Sequence, residues 1–83
     1  MITLQLFGAF RDFNESNKLS LEYSEGMTVN EVKNQIRQHF QGQESFLLLL
    51  DRSRLADDTH IFLDGEKLNS PGDYALLPPV NGG

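Results

Sequence analysis

The sequence predicts an α+β domain: a mixed sheet of four to five strands with one main helix packed on one face. Three observations carry this. Ile2, Leu4 and Leu6 alternate with Thr3, Gln5 and Phe7, the period of two expected of a half-buried strand. Thr28 to Phe40 carries one apolar stripe at helical spacing behind a capping sequence. The elements run strand, strand, helix, strand, short strand, strand, and a helix crossing one face of a mixed sheet buries that pattern. With 83 residues the chain makes a single domain, 1–83, with a flexible C-terminal tail over 78–83. A chain of this size buries only roughly 60% of its unfolded surface, which leaves little room for an enclosed catalytic pocket.

Each element has a local reason. Gly8 to Asn17 interrupts the first strand's pattern with Gly8, Asp12, Asn14 and Ser16 and reads as a turn region. Leu19, Leu21 and Tyr23 alternate with Ser20 and Glu22, so the second strand pairs with the first as a long-looped hairpin. Thr28-Val29-Asn30-Glu31 fits a capping box, with Met27 and Val32 at the hydrophobic-staple positions. Val29, Val32, Ile36 and Phe40 form the buried stripe, Asn30, Lys33, Asn34 and Arg37 face away, and Gly42 is placed to stop the helix. His39 near the helix end complements the dipole.

Phe46-Leu47-Leu48-Leu49-Leu50 fits helix or strand by periodicity. Its length of five before Asp51-Arg52-Ser53 favours a strand buried on both faces. Arg54 to Thr59 reads as an irregular edge segment. Ile61-Phe62-Leu63 leads into a turn at Asp64-Gly65-Glu66, and Ser70-Pro71-Gly72-Asp73 is a second turn. Tyr74 to Leu77 is the last strand, ended by Pro78, which removes a ladder donor. If that strand lies centrally beside the first, the tail leaves from the middle of the sheet.

Composition narrows the function. The net charge of −5 argues against nucleic acid and anionic membranes and favours a partner with a basic groove. Cysteine is absent, which removes disulfides, thiolate nucleophiles and Cys-based zinc sites. No metal site is expected from His39 and His60, and Asp57-Asp58 reads as a solvated loop. Glu22, Glu25 and Glu31 read as solvated or capping residues. Met1 to Phe7 lacks the features of a secretory signal, and the longest apolar run, Phe46 to Leu50, is too short for a bilayer. A cytoplasmic protein is the expectation.

The ending Pro78-Pro79-Val80-Asn81-Gly82-Gly83 is the most informative segment. Two prolines stiffen the stalk, and glycine follows a narrow channel that a Cβ would block. The last four residues span at most about 13 Å when extended. Such geometry suits a C-terminus inserted into another protein's active site; the alternative is an ordinary frayed end.

On these residues the chain resembles the MoaD family, the small subunit of molybdopterin synthase and a ubiquitin-like β-grasp sulfur carrier. Leu6-Phe7-Gly8-Ala9-Phe10-Arg11 is similar to the family's opening Leu-Phe-Ala-x-x-Arg, Thr28-Val29 to its helix start, and Pro78-Pro79-Val80-Asn81-Gly82-Gly83 to its Pro-Pro-Val-x-Gly-Gly ending. Two places depart. Ala56-Asp57-Asp58-Thr59 stands where the family has Val-Asn-Gly or Val-Asn-Gln, and Ser70-Pro71-Gly72-Asp73-Tyr74 replaces an Asp-Gly-Asp-Glu-Val turn.

The resemblance implies a sulfur carrier with no bound cofactor. An E1-like, MoeB-like adenylating enzyme would use ATP to adenylate the carboxylate of Gly83, and sulfur would then replace AMP to give a thiocarboxylate. Gly82, Asn81, Val80, Pro79 and Pro78 would thread into a MoaE-like large subunit, which holds the active site and pairs with the carrier as a heterotetramer. The family's docking face places Phe7, Ile61 and Leu77 at a partner interface, although such residues more often fill a core. Arg11 would contact an acidic partner surface or cap its own loop. Two alternatives share the charged terminus: a modifier joined to lysines through Gly83, and a sulfur carrier for thiazole or tRNA thiolation. A fourth is an interaction domain that is never activated.

Overall fold

The parallel pairing of the first and last strands organises the molecule. The computed structural model describes residues 1–13 and 16–79. The elements are β1 (Ile2–Leu6), a 3-10 helix (Gly8–Phe13), β2 (Lys18–Leu21), α1 (Val29–His39), α2 (Glu44–Asp51), β3 (Arg54–Ala56), β4 (Ile61–Phe62) and β5 (Gly72–Leu77). They form a five-stranded sheet in the order β2-β1-β5-β3-β4. β1 is antiparallel to β2 and parallel to β5, while β3 is antiparallel to both β5 and β4. The last strand therefore lies at the centre beside the first, which meets the condition left open in the sequence, and the β1–β2 hairpin carries the 3-10 helix in its loop.

The alternation in β1 does what a period of two requires: Ile2, Leu4 and Leu6 are buried. They join Leu19, Leu21, Leu55, Phe62, Tyr74 and Leu76 beneath Val29, Val32, Ile36 and Phe40 of the α1 segment. Helix α1 starts at the expected cap, with one half of the capping box formed. Thr28 is the N-cap, its hydroxyl accepting from the Glu31 amide at 3.3 Å. Two further donors of the first turn find carbonyls in the β4–β5 connection, Val29 N–H to Glu66 at 2.9 Å and Asn30 N–H to Asp64 at 3.0 Å. These satisfy groups that a helix N-terminus otherwise leaves to water. The helix ends at His39, and Gly42, with φ of +90°, turns the chain toward α2. Strand β2 ends at Leu21, so Tyr23 packs against the core from outside it.

Three expectations require correction. Phe46 to Leu50 is not a strand but most of α2, which begins two residues earlier at Glu44. Leucine is a strong helix former, and the run has no β-branched residue. Phe46 and Leu50, four apart, turn inward, while Leu48 is 69% exposed. A strand buried on both faces would hide it. The aromatic ring of Phe46 stacks on Phe40 at 3.9 Å between centroids and meets Phe10 and Phe13 edge-on. These contacts fix α2 against the 3-10 helix.

Arg54 to Ala56 is a strand, and an interior one between β5 and β4, rather than an irregular edge segment. Its single buried hydrophobe of any size, Leu55, leaves too little alternation to read.

Lys33 does not face away from the core but is 1% exposed. Its ammonium donates to the Ser53 carbonyl at 3.0 Å and to Asp64 at 2.9 Å. A buried charge survives only with such partners. The pair ties α1 to the residue before β3 and to the turn after β4.

Candidate functional site: the open sheet face and the tail root

Both helices cover one face of the sheet, so the other is built from the residues between the buried ones. Along β5, Tyr74 and Leu76 are buried, while Ala75 and Leu77 are half-buried on the opposite side. The register sets Ala75 beside Gln5 and Ala56, and Ala56 beside Ile61. One row further along, Arg54 opposes Leu77. Continuing β3–β4 beyond the Leu55–Phe62 pair brings Leu63 to the other side of Arg54. Continuing β1–β5 beyond Leu6–Leu76 brings Phe7 next to Leu77. Phe7, Ile61 and Leu63 are 38%, 58% and 63% exposed. The open face is polar along β2 and the start of β1 and β5, with Thr3, Gln5, Lys18, Ser20 and Asp73, but carries an apolar patch around Phe7, Leu77, Ile61 and Leu63 where a solvated sheet face would stay polar.

The end of β5 opens onto this face. Leu77 is its last residue, and Pro78 and Pro79 follow, both half-buried. Because β1 and β5 are parallel, their C-terminal ends lie together. The tail root thus emerges beside the turn after β1. Gly8 in that turn has φ of +58°. A Cβ added to it would stand 2.8 Å from Pro78 Cγ. Phe7, Ile61 and Leu77, singled out from the sequence, share the open face. Arg11 is exposed in the last turn of the 3-10 helix. Val80, Asn81, Gly82 and Gly83 lie outside the described residues.

Two members of this face are missed by the sequence reading. Leu63 was legible, because Ile61 and Leu63 are two apart on either side of buried Phe62 and so share a direction. Arg54 carries no such signal; only the β3–β5 register places it beside Leu77.

The loop from Asp57 to His60 is self-satisfied. The Asp57 carboxylate accepts from the amides of Thr59 at 2.8 Å and His60 at 2.9 Å. Those backbone donors, Thr59 first, hold its carboxyl below the usual carboxylate range, with smaller help from the Thr59 hydroxyl and His60. The His60 ring meets Phe62 at a tilt of 53°, 4.0 Å between centroids, and stands 3.6 Å from both Asp57 and Glu66. Asp57, Asp58 and Asp73 line an open cleft of about 250 Å³ with Thr59, Ser70, Pro71 and Tyr74. Among the described residues no three His, Asp or Glu side chains are grouped to hold a metal ion. Nor is any helix among them long and apolar enough to cross a membrane.

No protein-family model matches the sequence, and no curated protein matches it. Solved structures do. The crystal structure of SAMP1 from Haloferax volcanii superposes with a TM-score of 0.73 at 19% identity, covering 99% of this chain and 98% of that one. The chain has the ubiquitin-like β-grasp fold. At that identity the likeness carries the architecture alone, a mixed five-stranded sheet grasping a helix, as the resemblance noted in the sequence implies.

Proposed function

We propose that the protein is a cytoplasmic sulfur carrier, the small subunit of a molybdopterin synthase, bearing its sulfur as a thiocarboxylate on Gly83. One observation carries this reading: the central strand delivers its C-terminal end beside an exposed apolar patch. A partner that docks on Phe7, Ile61, Leu63 and Leu77 receives the tail root at a defined position. The Pro-Pro-Val-Asn-Gly-Gly ending supports the molybdopterin branch among carriers of this kind.

The body contributes binding and aim, and the chemistry is supplied in trans. A carboxylate resists nucleophiles because it is anionic and offers no leaving group. In the proposed sequence, a Gly83 carboxylate oxygen attacks the α-phosphorus of ATP on a MoeB-like enzyme, and pyrophosphate leaves. A donor's persulfide sulfur then displaces AMP. A second thiol reduces the resulting acyl disulfide and frees the thiocarboxylate. Its sulfur is spent on a pterin precursor in a MoaE-like large subunit. The acidic net charge favours encounter with basic grooves on such partners.

The test is mass spectrometry of the chain after incubation with an adenylating enzyme, ATP and a persulfide donor. Replacement of one oxygen by sulfur at Gly83 is the expected result. No exchange, with the enzyme active on a control carrier, would remove the reading. The likeness to SAMP1, a ubiquitin-like small archaeal modifier, favours a second reading, in which the adenylated Gly83 acylates lysines of other proteins. That version predicts heavier immunoreactive species in cell extracts that vanish when Gly83 is deleted.

A further inference from the structure

The tail root is gripped at one point that the strand register explains. Leu6 is aligned with Leu76 in the parallel β1–β5 pair. Two residues further along both strand directions stand Gly8 and Pro78. From the Gly8 position a Cβ would lie 2.8 Å from Pro78 Cγ, 3.6 Å from Cδ and 3.7 Å from Cβ. Real Cβ atoms do not approach carbon at the first of these distances, so the ring rests where a side chain would otherwise be. Gly8 also has φ of +58°, in the left-handed region that glycine enters without steric cost. The backbone there turns from β1 into the 3-10 helix, which begins at Gly8. One residue thus makes the turn and leaves the seat.

The seat acts on direction. Proline fixes its own φ, and Pro79 follows at once, so little torsional slack separates the seated ring from the residues beyond. A shift of the Pro78 ring is passed directly to Pro79, from which the segment to Gly83 departs. We propose that Gly8 is a positioning residue: its missing side chain seats the Pro78 ring and so aims the C-terminal segment into the site that charges it. This rests on the reading of Gly83 as the reactive end, whether it takes sulfur or an amine.

The decisive variant is Gly8→Asn. Asparagine tolerates the left-handed backbone but brings a Cβ against the ring. Adenylation is followed by pyrophosphate release with the activating enzyme and ATP. The expected result is a fall in kcat of about tenfold or more, the scale on which small misplacements act, with KM for the carrier unchanged, because the open face still docks. Partial unfolding would do the opposite, raising apparent KM by depleting carrier while leaving kcat intact. Adding Pro78→Ala removes the offending Cγ and Cδ, so the double variant should recover to the level of Pro78→Ala alone. Equal kcat for wild type and Gly8→Asn, or no recovery in the double variant, overturns the proposal. If the wild type is never charged, the functional reading fails instead. The seat is then decided in the free protein by cross-relaxation between Gly8 Hα and Pro78 Hγ protons. That signal should be strong in the wild type, and its absence there overturns the seat.

Discussion

The two faces of the sheet are made from the same strands, yet they obey different rules. On the covered face Ile2, Leu4, Leu55, Phe62 and Leu76 are at most 1% exposed and locked under two helices. On the open face Ile61 and Leu63 remain more than half exposed beside Leu77 and Arg54. Packing explains the first set completely, since each residue buries apolar area in a close-packed interior. Nothing within the fold requires the second set to be apolar. The difference teaches that one face specifies the fold and the other is available to specify a partner.

The contrast is sharpest when one leucine is taken from each face. Leu76→Ala should lower stability by about 2–5 kcal/mol, read as the midpoint of a urea titration. Leu63→Asp should change it by no more than about 0.5 kcal/mol while, under the proposed function, reducing charging of the folded protein by an adenylating enzyme. If Leu63→Asp unfolds the protein as Leu76→Ala does, the two faces are not distinct in role.

A smaller effect tests how well the covered side is sealed. Asp64→Ala strands the Lys33 ammonium in the interior with only the Ser53 carbonyl. Asp64 is itself 42% exposed in its side chain, so water tempers the penalty to about 1–3 kcal/mol. Lys33→Met keeps the apolar stem and removes the charge, at about 1 kcal/mol. The order of the two variants, measured by denaturant unfolding, is the prediction. A larger loss from Lys33→Met would mean that the interior welcomes the charge.

The smallest effect lies at the rim of the open face. Asp57 has a lowered folded-state pKa because the Thr59 and His60 amides bond its ionised form. Its contribution is present above the ordinary carboxylate pKa and is lost as pH falls below about 4 and through the lowered value. Asp57→Ala should therefore flatten the acid limb of a stability–pH profile, leaving the region above about pH 5 parallel to wild type. An unchanged acid limb would show that the loop geometry persists only as an exposed, exchanging contact.

Much of the architecture was legible. Strict alternation in Ile2–Leu6 and the Thr28 cap before one apolar stripe are local signals, and local physics decides them. The central position of β5 stayed a condition in the sequence and is decided by the parallel β1–β5 register. The Leu-rich run misled because its helix begins at Glu44 and Ser45, two polar residues that do not look like part of an apolar segment. Lys33 misled because a long side chain can bury its stem and find partners twenty and thirty-one residues away, beyond any periodicity. Of the candidate site, Phe7, Ile61 and Leu77 could be named from sequence. Arg54 and the Gly8–Pro78 contact could not, because both depend on strand register.

The pairing of Ile2 with Gly72 has a temporal consequence. During synthesis β1 waits until Gly72 and the residues after it are made before its parallel neighbour exists. A chain halted short of Gly72 has no middle to its sheet, only the β1–β2 and β3–β4 pairs, each with an unfilled inner edge. Non-local pairing of this kind slows folding and couples it to the end of synthesis. The segment that follows β5 would then leave the sheet only once its middle strand is in place.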